Sequence, residues 1–244
     1  MNTEQSPTPT VTAAGIGTGT GTGGSQQALI VSGSGRYGDP WHPFAATSAL
    51  LAELLTSAGF AVTVEDDLDD AMTRLAAVSL LVVNAGDPWR DATPEPPPAA
   101  STTGFRRAVK DGIAILAMHT APATMRGYPD WAPTVGAVWL PGISSHPPIG
   151  SVEIAIHDRR FGGSDEVRVV DERYCHLQPI GRSEIVATHQ VEGATHPTAW
   201  LRTVGRSRVA VDLLGHDSRS YASEGHRALV VALARWATEA GTAG

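Results

Sequence analysis

Four short runs dense in apolar residues punctuate the first half of the chain: Ala28–Ser32, Phe60–Val64, Ser79–Val83 and Ile113–Met118. The runs ALIVS, SLLVV and IAILAM are almost uninterrupted, the signature of strands covered on both faces and therefore of a parallel sheet. Segments with helical spacing separate them. Leu50, Leu51, Leu54 and Leu55 follow a start signal at Pro43 and precede a stop at Gly59; Leu68–Ala76 and Thr102–Asp111 supply two more helices. The alternation predicts an α/β domain. Farther on, Ser151–Ile156 and Glu184–Thr188 alternate as half-buried strands and predict a small antiparallel extension. Arg208–Leu214 returns to the buried-strand pattern, and Glu224–Ala237, with Leu229, Leu233 and Trp236 on one face, predicts a closing helix.

The run Ile113–Met118 stops at His119. In open α/β sheets, ligands bind beyond the carboxyl ends of the strands, so a polar side chain delivered there by a rigid strand is a site candidate. His216 ends the run Arg208–Leu214 in the same way, His42 lies in the loop after the first strand, and His146 lies in the loop Pro141–Gly150. Four of the nine histidines thus fall at or near one edge, whereas solvated histidines scatter. If His119 and His216 end strands of the same direction, the two imidazoles project from the same edge. Neutral imidazoles there suit a divalent metal, with His119, His146 and His216 as candidate ligands; a histidine working with a carboxylate suits proton exchange instead. The cofactor is otherwise unassigned.

Composition removes other chemistries. The chain carries 25 acidic against 18 basic residues, so its field repels nucleic acid and anionic membrane surfaces, and no uninterrupted apolar run is long enough to span a bilayer. Its one cysteine, Cys175, excludes an intrachain disulfide and a cysteine-based zinc cluster, and its one lysine, Lys110, sits near the end of a surface helix, far from Schiff-base or P-loop use. The expected compartment is the cytoplasm. Residues 1–24, rich in Thr and Gly and without aromatics, are expected to form a disordered tail, leaving one domain over 25–240. The Pro-rich segment Asp87–Ala100 is expected as a long surface loop. Gly33-Ser34-Gly35-Arg36-Tyr37-Gly38 matches the dinucleotide fingerprint, yet Pro40 and Pro43 postpone the helix whose amides would meet a pyrophosphate. The glycines read better as permitting a tight turn, with nucleotide binding as an alternative.

Several segments together carry a family resemblance: LAMHTA at Leu116–Ala121, SSHPP around His146, DERY at Asp171–Tyr174, PTAW at Pro197–Trp200 and GRSRVAVDLLGHD at Gly205–Asp217. In this order the chain resembles the ThuA-like family, named for a trehalose-utilisation protein and similar in fold to class I glutamine amidotransferases. The resemblance implies a flavodoxin-like, doubly wound, mostly parallel sheet and a role in carbohydrate utilisation, on a disaccharide such as trehalose or a keto derivative. It also brings Glu172 to the site, so that His119, His146, Glu172 and His216 are the candidate catalytic residues, with His42, Trp41, Tyr174 and Asp217 as candidate substrate contacts. His119 stands where the amidotransferases hold a nucleophilic cysteine, and an imidazole does not readily form a glutamyl thioester. Glutaminase activity is therefore not expected. A small-molecule carbohydrate is the expected partner, a homo-oligomer is left open, and a non-catalytic sugar-binding or regulatory protein is the alternative reading.

Overall fold

The structure, a computed structural model, describes residues 25–87, 95–161 and 163–239. The expected tail 1–24 and half of the Pro-rich segment, residues 88–94, lie outside the described residues. The chain opens with β1 (Gln27–Ser32), α1 (Phe44–Ser57), β2 (Ala61–Glu65), α2 (Leu68–Ala71), β3 (Leu80–Asn84), α3 (Ala99–Asp111) and β4 (Ala114–Met118). It continues through a short α4 (Trp131–Val135), β5 (Ala137–Val138), β6 (Gly150–Ile156), β7 (Glu166–Asp171), β8 (Gln178–Pro179), β9 (Glu184–Val191), β10 (Ala194–Val204) and β11 (Ser207–Asp212). It closes with α5 (Ser218–Tyr221) and α6 (Glu224–Thr238).

Among the described residues, nine strands form one sheet in the order β2-β1-β3-β4-β11-β10-β9-β6-β7, and β5 pairs with β8 apart from it. The first five run parallel, and the pairings of β10, β9, β6 and β7 are antiparallel. The sheet is therefore mixed, and its antiparallel part is larger than the small extension read from two alternating segments. Two strands escaped that reading. β7 (EVRVVD) is short and half charged, while β10 contains Pro197, which lacks a ladder donor and sits where the register with β9 shifts. The predicted helix Leu68–Ala76 breaks into α2 and a 3-10 turn over Leu75–Ala77.

Side-chain alternation along the parallel strands divides the core. Ile30, Val82, Leu116 and Ala210 meet Leu51 and Leu55 of α1 and Leu229, Val230 and Leu233 of α6 on one face. Leu29, Leu81, Ile115 and Val209 meet Leu68, Phe105 of α3 and Trp131 of α4 on the other. Val152, Ile154, Val167 and Val169 of β6 and β7 join the first cluster, and α6 touches β4, β11 and β7 alike. The antiparallel arm is thereby folded back toward the parallel strands, bringing the end of β7 close to the carboxyl edge of β4. No helix among the described residues is long and apolar enough to cross a membrane.

Gly33 and Gly104 show why glycine is required at two close approaches. A Cβ on Gly33 would lie 2.5 Å from the Tyr37 carbonyl oxygen and 2.6 Å from the Phe44 ring, and α1 does not begin until Phe44. The fingerprint-like loop is thus packed against its own helix start, in agreement with the tight-turn reading. Gly104, inside α3, faces the Met72 carbonyl, where an added methyl would collide with backbone. A helix-interior Gly→Ala exchange ordinarily stabilises by roughly 1 kcal/mol; Gly104→Ala is expected to reverse that sign and cost about 1–3 kcal/mol. Urea denaturation measures it, and a raised midpoint would contradict the packing.

Candidate active site

β4 ends at Met118, and the chain turns through His119 with φ +33°, the left-handed region that a non-glycine residue occupies at a cost of about 1–3 kcal/mol unless its surroundings hold it there. They do. The His119 amide donates to the Asp212 carbonyl at 2.7 Å, and its Nδ1 meets the Leu213 carbonyl at 2.8 Å. A carbonyl can only accept, so Nδ1 carries a proton and Nε2 points the other way, toward Tyr174 Oη at 3.3 Å and Glu172 Oε2 at 3.5 Å. The ring is 1% exposed.

Neighbouring elements deliver the other groups. β11 pairs in parallel with β4, Asp212 beside Met118, and the chain beyond it brings His216 Nδ1 to 3.4 Å from Glu172 Oε2. From the loop after β1, the His42 ring lies 4.9 Å from that of His119 and 4.7 Å from that of His216, centroid to centroid. Its Nδ1 donates to the Asp39 carboxylate at 2.7 Å, which leaves Nε2 facing the cluster, buried and without a hydrogen-bond partner. Glu172 follows directly on β7. One fully buried carboxylate, Asp171, fixes both loops: it accepts from the amides of Glu172 (2.8 Å), Gly215 (2.7 Å) and His216 (3.3 Å) and from the Ser220 hydroxyl. Gly215 has φ +115°, and a Cβ there would press on Tyr221 Oη at 2.8 Å.

The electrostatics follow from this crowding. Burial alone would raise the Glu172 carboxyl, but His119 and His216 beside it win and hold it well below the usual carboxylate range. Burial alone would lower His119, and here Glu172 and Asp171 win, so that the imidazole is pulled up. His42 moves down, because burial and the neighbouring His119 and His216 outweigh its bond to Asp39. Burial next to Glu172 and Asp171 drives the Tyr174 phenol far up, so it stays protonated and serves as a donor. A His119–Glu172 pair of this kind can hold and pass a proton.

Above the cluster opens a cavity of about 510 Å³, lined among others by Trp41, His42, Trp139, His146, Glu172 and His216. His146 stands at its mouth, 3.5 Å from the second Glu172 oxygen, with its ring against Trp139 and Tyr174. Trp41 is 63% exposed at the rim. A larger groove of about 720 Å³ runs along α6, lined by Arg159, Arg227, Arg235 and Trp236 among others, but it holds none of the clustered histidines.

The structure thus gathers His42, His119, His146, Glu172, Tyr174 and His216, with Trp41 at the edge. It does not bring Asp217 to the cavity wall: that carboxylate caps α5 through the Arg219 amide and pairs with the Arg219 side chain at 2.6 Å, a local bond that consumes it. Asp39 and Asp171 were not anticipated. Asp39, three residues before His42, carries the signal of an Asx turn; Asp171 was visible only as part of DERY, with nothing to mark it as buried.

The family model for ThuA, trehalose utilisation, matches residues 27–237. The chain belongs to the ThuA family. A ThuA-like protein from Parabacteroides merdae ATCC 43184 superposes with a TM-score of 0.71 at 17% identity, covering 88% of this chain and 90% of that one. Another from Bacteroides uniformis ATCC 8492 gives 0.69 at 13% identity, over 90% and 94% of the two chains. A chain from the structure of PurLQS of Thermotoga maritima gives 0.56 at 14% identity, over 87% and 99%. At such identities these likenesses establish the fold alone. No curated protein matches the chain.

Proposed function

We propose that this ThuA family member binds a neutral carbohydrate, a disaccharide such as trehalose or its keto derivative, in the cavity above His119 and transforms it there. One observation carries the reading: His119, His216, His42 and Glu172 converge beneath a cavity walled by Trp41, Trp139 and Tyr174. Aromatic faces suit the apolar faces of sugar rings, while the acidic and imidazole groups suit hydroxyls and a carbonyl. In this reading His119 and Glu172 exchange a proton with the ligand, Tyr174 donates to its oxygen, and His146 guards the mouth. The parallel half of the sheet is read as flavodoxin-like and related to that of class I glutamine amidotransferases.

Incubating the protein with trehalose, other disaccharides and their keto forms, followed by NMR, tests this. Conversion of at least one of them supports it; binding without conversion favours the non-catalytic alternative, and neither binding nor conversion of any of them removes the carbohydrate reading.

Glutaminase activity is not expected. The residue after β4 is the imidazole of His119, and Cys175, whose Sγ donates to the Arg173 carbonyl, has a thiol pushed up by burial. Ammonia release from glutamine that disappears in Cys175→Ser would overturn this assignment.

A further inference from the structure

We infer that His42, His119, His216 and Glu172 form a binding site for one divalent transition-metal cation, with zinc as the ion of reference. One ligand atom from each of the four lies within 4.8 Å of every other. Tetrahedral zinc with bonds of about 2.0–2.1 Å sets its ligands about 3.3 Å apart. The Glu172 oxygen is already 3.5 Å from His119 Nε2 and 3.4 Å from His216 Nδ1. Ligand atoms at the 4.8 Å limit have to close by about 1.5 Å to reach that spacing.

Ligand count alone would be a weak argument; the outer contacts strengthen it. A metal-binding imidazole usually donates its far N–H to a carboxylate or a carbonyl, which fixes the tautomer and aims the lone pair. His42 does so to Asp39, and His119 does so to Leu213. Two nitrogens in the cluster, His42 Nε2 and His216 Nδ1, are buried without a hydrogen-bond partner. Each such orphan carries an uncompensated desolvation cost that a bound cation would remove. A proton placed between His119 and Glu172 would serve that pair and leave both orphans as they are. A divalent cation at the centre serves all four groups at once. Three imidazoles and one carboxylate match the preference of zinc and its first-row neighbours over magnesium or calcium.

The set differs from the one read in the sequence. His42 and Glu172 join His119 and His216, while His146 leaves: its Nδ1 lies 3.1 Å from the Pro147 carbonyl, and the ring is partly exposed at the mouth. Asp39 and Asp171 become positioning residues, the first for one ligand and the second for the loops that carry two. His42, Glu172 and His216 also line the cavity, so a group bound there would reach the ion only as a fifth ligand. The inference rests on the same converging groups as the carbohydrate reading; with an ion bound, His119 and Glu172 would serve as ligands rather than as proton carriers, and the ion is measured without a sugar.

The test is metal binding by the full chain after chelator treatment: zinc by calorimetry and elemental content, cobalt by its visible absorption. One equivalent is expected, with a cobalt spectrum of four- or five-coordinate nitrogen and oxygen ligation. His42→Ala and Glu172→Gln should weaken zinc binding by at least about 100-fold, and Asp39→Asn and Asp171→Asn by about 10–100-fold. His146→Ala, which removes a 3.5 Å contact to the second Glu172 oxygen but no ligand, should weaken it less than either ligand variant. Binding well below one equivalent by the wild type overturns the inference, as does binding that survives unchanged in His42→Ala. Should any single variant fail to fold, Asp39→Asn, which keeps the ligand set intact, carries the decision. Loss of metal binding with sugar conversion intact would sink this inference alone; the converse would sink only the carbohydrate reading.

Discussion

Substituting His226 with leucine is expected to remove about 3–5 kcal/mol of folding free energy, a large share of the roughly 5–15 kcal/mol that holds a domain together. His226 lies on α6 with no exposed surface, its Nε2 3.1 Å from Asp212 Oδ2 and its Nδ1 2.9 Å from Ser220 Oγ. Asp212 is equally buried, so the variant strands a carboxylate inside the core. Two carboxylates, Asp212 on β11 and Asp171 on β7, face this ring, which also packs against Tyr221 of α5. Burial alone would lower the imidazole, yet those carboxylates raise it above its ordinary value. The sign follows. Stability from this group is fully present below the unfolded pKa of about 6.5 and is lost as the pH rises through the folded value. Urea denaturation across neutral to alkaline pH should therefore show the gap between wild type and His226→Leu narrowing as pH climbs. His119 contributes with the same sign in both proteins, so the difference isolates His226. A loss under about 1 kcal/mol, or a gap that widens with pH, would refute the buried pair as described.

His119→Ala is expected to reduce carbohydrate conversion by roughly 10²–10⁴-fold, the span that a positioned acid or base contributes. The imidazole meets Tyr174 and Glu172 on one side and is fixed by Leu213 on the other. Because the backbone at this position is left-handed, alanine keeps the strain while losing the ring's anchoring bond. His119→Gly relaxes the backbone. The glycine variant should accordingly be the more stable of the two and equally inactive, which separates loss of the imidazole from loss of the fold. Activity within tenfold of wild type in a folded His119→Gly protein would remove His119 from the chemistry.

How far these groups could be read from sequence depended on what each reading required. β1, β3, β4 and β11 were visible because strands buried on both faces must be apolar at consecutive positions. Knowing that β4 and β11 are parallel then places His119 and His216 on one edge without any coordinates. β10 was hidden by Pro197, whose presence is explained only by the register shift opposite β9. Asp217 looked like a site residue because of its neighbour His216, but a carboxylate at a helix start can satisfy free amides locally, and it does.

Sequence by itself determined the α/β alternation, the edge at which the histidines gather, an imidazole rather than a thiol directly after β4 and, through the motif resemblance, the ThuA family to which residues 27–237 belong. Tertiary structure decided how Glu172, which the resemblance alone had brought to the site, reaches the imidazoles from the outermost strand of the sheet order, that His42 rather than His146 completes the inner cluster, and that Asp171 ties their loops together. The reason is physical. Periodicity and run length record how each segment is covered, which is a property of neighbours along the chain. The return of β7 toward β4 depends on the folding back of the antiparallel arm and on α6 packed against both, contacts between residues far apart in sequence that leave no local pattern.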